Sequence, residues 1–377
     1  MKIKEIQAKS ILRKHKKIDS WFISHYGMNL YRGCIHNCIY CDGRSEKYQV
    51  TGEFGEEVAV KVNAIAILTR ELDPTRKRKP FKPSFMMVGG GVGDSYQAVE
   101  KRYGLTRQAL KLIHKYNFPI HILTKSTLVE RDLDILRQIN IHNRAVVSFS
   151  FSSVDDEISR FVEPGVPPPS ERLKTLKRFK AAGIACGMFL MPVIPFLTDG
   201  PQWIEKSVKE AKEVGIDFII FGGMTLKEGR QKDHFMHHIR QQHPGLEAAY
   251  ESIYRGDRWG AATKDYYDSI NYSFHHIAKQ YQMPTRIPAH LFNNILNADD
   301  LVIVILEQLD YLAKLAGRRS PYGYAAYSIS QQKQPLREIR GRLQDIKGVG
   351  RVTERIIQEI MDTGTARYYE KLLKGGK

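Results

Sequence analysis

Cysteine is scarce: four in 377 residues, and three of the four stand at positions 34, 38 and 41. So few, spread so unevenly, exclude a disulfide framework and fit a reducing cytoplasm. No run of about 18 apolar residues occurs, so a membrane-crossing helix and a membrane partner are not expected. Residues 1–17 are basic but lack the apolar segment of a secretory signal. Acid is also short, since 41 Asp and Glu face 58 Lys and Arg for a net charge of +17. That excess attracts polyanions, nucleic acid before an anionic membrane surface.

What the chain does carry is the stretch Tyr31-Arg32-Gly33-Cys34-Ile35-His36-Asn37-Cys38-Ile39-Tyr40-Cys41-Asp42. Thiolates are soft ligands, and three on one loop are not explained as core packing. The residues alone leave two readings open. One is a zinc site completed by His36 or His25, although structural zinc usually takes two separated Cys pairs and the chain has no second pair. The other is a cubane iron–sulfur cluster with one iron free of protein ligands, open to a substrate or cosubstrate.

The rest of the chain alternates. Strands are expected at 28–32, 85–89, 119–124, 145–151, 184–191 and 217–221. Helices are expected at about 56–72, 105–116, 128–139, 170–183 (with Ser170 as N-cap) and 201–214. Asp73-Pro74 ends the first helix, Gly183 and Gly215 end the last two, and Pro192 closes a strand. Six strands alternating with helices imply βα units around a parallel sheet, either doubly wound or a barrel. The cysteine loop, Gly89-Gly90-Gly91, Lys125 and Pro192 all fall at strand C-terminal ends, where such folds gather ligand groups. Residues 1–27 read as a basic N-terminal extension packing on the main domain. The loop Arg76-Lys77-Arg78-Lys79 is either a polyanion contact or merely solvated.

C-x3-C-x2-C with Tyr40 before the last cysteine resembles the signature of the radical S-adenosylmethionine (SAM) enzymes. The resemblance selects a partial (β/α)6 barrel over residues 28–225. It implies a [4Fe–4S] cluster on Cys34, Cys38 and Cys41, with SAM chelated by the fourth iron. It also implies a one-electron donor such as flavodoxin or ferredoxin, and reductive cleavage of SAM to a 5′-deoxyadenosyl radical. The glycine run at 89–91 resembles the motif whose backbone meets the SAM amino group, with a third glycine where the family often has an acid. Further segments resemble the group related to spore photoproduct lyase. They are Gly93-Asp94-Ser95-Tyr96-Gln97 with Tyr103 to Arg107, Thr124-Lys125-Ser126 with Arg131-Asp132, Val162 to Gly165 with Glu171-Arg172-Leu173, and Met191 to Pro195. By that resemblance Lys125 and Ser148 approach the SAM carboxylate and ribose, and Tyr40 belongs to the same pocket. The lyase's hydrogen-donor cysteine has no counterpart between Gly89 and Ser95. Cys186 reads as a packing residue, and Tyr96 as an aromatic at the barrel mouth or a radical relay.

Beyond residue 225 the alternation stops. His234, His237 and His238 have helical spacing that either binds metal or simply lies on a solvated or core helix. Residues 226–334 read as a helical region capping the barrel mouth. Residues 335–377 hold ten Lys and Arg against six Asp and Glu. They resemble a helix–hairpin–helix, with Gly348, Gly350 and Arg351 presenting backbone N–H groups and a cation to a nucleic-acid phosphate. Three functions therefore stand. The first is a radical SAM enzyme, of lyase or oxidoreductase type, acting on DNA or other nucleic acid in repair or modification. The second is a radical SAM enzyme modifying a protein or small molecule. The third is a non-catalytic nucleic-acid-binding protein with a structural cluster.

Overall fold

The computed structural model describes residues 2–48, 50, 52–77, 81–89 and 92–375. Ten strands are described: β1 (Lys2–Ile6), β2 (Leu12–Asp19), β3 (Ser24–Met28), β4 (Tyr31–Arg32), β5 (Glu57–Lys61), β6 (Phe85–Val88), β7 (Ile120–Thr124), β8 (Ala145–Phe151), β9 (Ala185–Val193) and β10 (Phe218–Gly223). Seven form one sheet in the order β10-β9-β8-β7-β6-β3-β2. All its pairings are parallel except β2 with β3. Each crossover therefore advances to the adjacent strand, which is how a barrel is wound.

Alternation along the strands settles which winding this is. Met86, Val88, Ile120, Ile122, Val147, Phe149, Met188 and Leu190 face one core. It is shared with residues of helices Ala64–Leu72, Leu105–Lys115, Leu133–His142, Pro169–Ala181 and Pro201–Val214. Phe85, Val146, Ala185, Phe189, Phe218 and Ile220 face a second core. All five crossover helices lie on one side, whereas a doubly wound sheet would place them on both. The other side is the concave face. It is packed by the C-terminal helices Ala298–Leu315, Tyr322–Ser330, Arg351–Thr363 and Arg367–Leu373 through Val302, Ile305, Leu309, Ile357 and Leu372. A parallel sheet buried on both faces needs near-continuous apolar strands, and Phe85 to Val88 reads that way.

Several expectations shift. The first barrel strand is Ser24–Met28, not 28–32, and Tyr31–Arg32 leaves to pair with β5 in a separate sheet ordered β1-β5-β4. The span expected as one helix from 56 splits into β5 and helix Ala64–Leu72, because Val58 and Val60 alternate inward before the helical spacing begins. Residues 1–27 supply β1, β2 and β3. β2 is the sheet's edge, where Arg13, Lys14, Lys16 and Lys17 discourage pairing with another chain. The expected helix 128–139 is a 3-10 segment Thr127–Asp132 followed by helix Leu133–His142. Ser170 sits inside its helix, behind Pro168 and Pro169, with its Oγ on Asp156 Oδ2 at 2.7 Å. Among the described residues no helix is long and apolar enough to cross a membrane.

Candidate metal centre

The cysteine loop is held by segments far apart in sequence. The Gln97 amide clamps its start: Ile35 N–H donates to Oε1 at 3.0 Å, and Nε2 donates to Gly33 O at 3.1 Å. Gly33 has φ +84°, and a Cβ there would lie 2.9 Å from Glu57 O. The middle of the loop pairs with the segment after β8: Gly165 N–H donates to His36 O and Ile39 N–H to Val162 O, both at 3.0 Å. Its end receives Gln231 Nε2 on Tyr40 O at 3.0 Å, from helix Arg230–Gln242.

Cys34, Cys38 and Cys41 are all free, the first two buried and the third half-buried. Burial pushes the Cys34 thiol up to about 12 and lifts those of Cys38 and Cys41 above the usual range. Their surroundings nevertheless favour the anion. Backbone N–H groups of His36 and Asp94 face the Cys34 sulfur and that of Gly43 faces Cys41, while Lys125 opposes the rise at Cys38 and Cys41. Desolvated thiols ringed by donors and cations become thiolates once a metal replaces the proton, so the donor set fits an iron–sulfur cluster. It fits zinc less well. The two histidines considered for a zinc site are engaged elsewhere. His36 lies between Gly165 O and Asp94, each at 3.1 Å, and His25 lies 3.0 Å from Asp300.

A polar network floors this loop at the C-terminal ends of the strands. Lys125, just past β7, donates from Nζ to Ser150 Oγ at 2.7 Å and lies 5.9 Å from the Tyr40 ring centroid. Ser150 Oγ donates to Met191 O at 2.8 Å. The Tyr40 hydroxyl donates to Glu163, whose other oxygen takes Arg172 Nη2 at 2.7 Å; Arg172 Nη1 donates to Ser150 O at 2.7 Å. Burial alone would raise the Glu163 carboxyl, but the charges of Arg172 and Lys125 hold it below its ordinary value. Asp94 is also held low against its burial, first by His36 and then by the backbone N–H groups that face it. It accepts from Thr124 Oγ1 and Lys125 N–H at 2.8 Å and from Tyr96 N–H at 2.7 Å.

Of the residues expected in the pocket, Tyr40 and Lys125 meet here. Gly89 ends β6 with φ +90°, and a Cβ there would strike Leu123 O at 1.9 Å, so no other residue fits. Gly90 and Gly91 lie outside the described residues, as do Arg78 and Lys79 of the basic loop. Ser148 lies one layer deeper on the concave face, its Oγ 2.8 Å from His121 Nε2. Ser150, two residues on and therefore on the same face, holds the place beside Lys125. Sequence reasoning missed Ser150, and the alternation of β8 was the signal. It met Glu163, Arg172, Asp94 and Gln97 only as parts of longer motifs and gave them no role.

Tyr96 is fully buried, and Cys186 packs on the helix side of β9. His234 and His238 sit with ring centroids 4.5 Å apart on helix Arg230–Gln242. Burial, with Arg44 nearby, lowers His234 to about 4. Gly348, Gly350 and Arg351 stand apart from the cysteine loop, on an exposed turn. Gly348 has φ +84° and backs onto Tyr324, and helix Arg351–Thr363 follows. The element before the turn is a six-residue 3-10 segment, Arg340–Asp345, rather than an apolar α-helix.

The family model described as Radical SAM superfamily matches residues 28–203. An uncharacterized protein of Mycobacterium bovis is 31% identical over 234 residues, covering 61% of this chain and 67% of its own. One of Methanocaldococcus jannaschii is 31% identical over 229 residues, covering 60% and 79%. Among solved structures, spore photoproduct lyase complexed with dinucleoside spore photoproduct superposes with TM-score 0.54 at 16% identity, over 74% of this chain and 79% of that one. A variant of that lyase with bound AdoMet and dinucleoside spore photoproduct gives TM-score 0.51 at 17% identity, over 72% and 78%. At these identities the structural likeness is one of fold.

Proposed function

This chain belongs to the radical SAM superfamily of enzymes, and from that premise we propose that it uses SAM to act on DNA or another nucleic acid. Cys34, Cys38 and Cys41 would hold the [4Fe–4S] cluster. With SAM bound, that cluster supplies one-electron cleavage of SAM and, through it, hydrogen-atom abstraction from a substrate. The chain's own residues bind, orient and shield. Lys125 offers an ammonium to the SAM carboxylate, fixed by Ser150. Gly89 lets backbone approach the cosubstrate where any side chain would clash. Tyr40, anchored through Glu163 to the buried Arg172, holds the loop's last turn rigid. Ser148, one layer below, is the residue assigned to the ribose side.

The observation that carries the nucleic-acid reading is the exposed turn at Gly348–Arg351 on a chain of net charge +17. There an open helix N-terminus, glycines and a free-facing arginine suit a phosphate. The structural neighbour complexed with a dinucleoside lesion adds support by fold. The test is 5′-deoxyadenosine release by the anaerobically reconstituted enzyme with reductant and SAM. Damaged and undamaged DNA, single and double stranded, are compared with none. Stimulation by DNA supports the proposal, and release indifferent to every nucleic acid removes it.

A further inference from the structure

Trp259 is 59% exposed, an unusual placement for an indole. It is not on a loose loop. Asp257 Oδ1 accepts from Trp259 N–H at 2.8 Å and from Ala261 N–H at 3.0 Å. Gly260, at φ +72°, accepts Leu226 N–H on its carbonyl at 2.7 Å, and a Cβ there would meet Leu226 backbone at 2.5 Å. The turn is thereby pinned to the strand end beyond β10. It is also pinned to the short 3-10 segment Glu46–Tyr48 that follows the cysteine loop. Lys47, six residues after Cys41, donates to Arg258 O and carries its ammonium 4.7 Å from the indole centroid. The Arg258 guanidinium lies 5.1 Å from the same ring. Among the described residues neither cation is in an ion pair. Of the nearby acids, Asp42 pairs with Lys227 and Glu46 with Arg230, while Asp257 is held by the N–H groups of its own turn and feels the Lys47 charge without pairing with it.

We infer that Trp259, with Lys47 and Arg258, is a stacking platform for an unpaired nucleobase at the rim beside the metal centre. The indole would take the base face and the two cations the flanking phosphates. This rests on the nucleic-acid reading above and names its contact at the rim. An acidic protein surface would use the cations but has no use for a rigid indole that is still 59% exposed beside them. Stacking is sequence-tolerant and strong enough for one ring to matter.

The test is titration of the full-length protein with a short fluorescently labelled oligothymidylate, read by anisotropy and by tryptophan emission, with heparin as a polyanion lacking bases. Wild type should bind with saturable quenching, and Trp259→Leu should lose that quenching and bind roughly tenfold more weakly. Trp259→Phe should keep most of the affinity. Heparin should bind without quenching. If Trp259→Leu binds the oligonucleotide as wild type does, the platform is overturned while the nucleic-acid reading stands. If wild type binds neither single strand nor duplex, both fall. If heparin and oligonucleotide quench alike, the rim answers to charge and not to bases, which overturns the platform in favour of an acidic partner.

Discussion

Glu163 and Arg172 are both fully buried, 2.7 Å apart. Removing one charge strands the other without water, which typically costs about 3–5 kcal/mol. Glu163→Gln should therefore lower stability in urea by about that much at neutral pH, and Glu163→Gln with Arg172→Met should recover part of it. A cost below about 1 kcal/mol would mean that the pair is not what anchors Tyr40. His121 gives a pH signature. Burial lowers it to about 4, against 6.5 when unfolded. Between those values the unfolded chain binds the extra proton. Stability is thus complete above about pH 6.5 and falls as pH drops toward 4, by on the order of 3 kcal/mol. His121→Gln should flatten that acid limb in unfolding curves taken from pH 7 to 4.5. For the thiols, Cys34→Ala, Cys38→Ala or Cys41→Ala should each strip most iron after anaerobic reconstitution, with the circular dichroism spectrum retained. Cys186→Ala should keep the iron, since that thiol packs under a helix.

The elements divide by how local their causes are. Helix Pro201–Val214 and its Gly215 stop, strand Ala145–Phe151 and the glycine ending β6 were legible because propensity, turn chemistry and pattern agree within the segment. The first barrel strand was misplaced because Ser24 to Arg32 is extended almost throughout. Which part joins the main sheet depends on partners β6 and β5, far along the chain. Ser148 and Ser150 carry the same residue on the same face. Their different roles follow from the reach of Lys125, which no local pattern encodes. Gly89→Ala should prevent stable folding or abolish SAM binding, because its backbone conformation and the Leu123 carbonyl both refuse a methyl group. At the C-terminal turn, Lys347→Ala and Arg351→Ala leave the buried Val349 and Ile356 in place. Each should reduce the slope of log affinity against log salt by about one for duplex DNA, with unfolding unchanged.

At the scale of the molecule, one-sided winding leaves a concave face that must be covered, and the chain covers it with its own last quarter. Phe85, Phe189, Phe218 and Ile220 share a core with Leu306, Leu343, Val349 and Ile357. A chain ending before residue 298 would expose that whole apolar face and should be recovered as aggregate, not as a smaller soluble barrel. The sequence reading set residues 335–377 apart as a segment of their own. Their apolar residues are instead part of the barrel's second core, a partnership invisible to periodicity because it joins residues more than 120 positions apart.

That shared core has a consequence for how a long substrate would be met. A hairpin embedded in the wall cannot swing, so the phosphate contact proposed at Gly348–Arg351 and the reacting centre would keep a constant separation, like two jaws of a caliper. A nucleic acid gripped at one jaw offers the other a single stretch of its length. The enzyme would then count nucleotides from its grip, and a target nearer to a strand end than that interval would go unread.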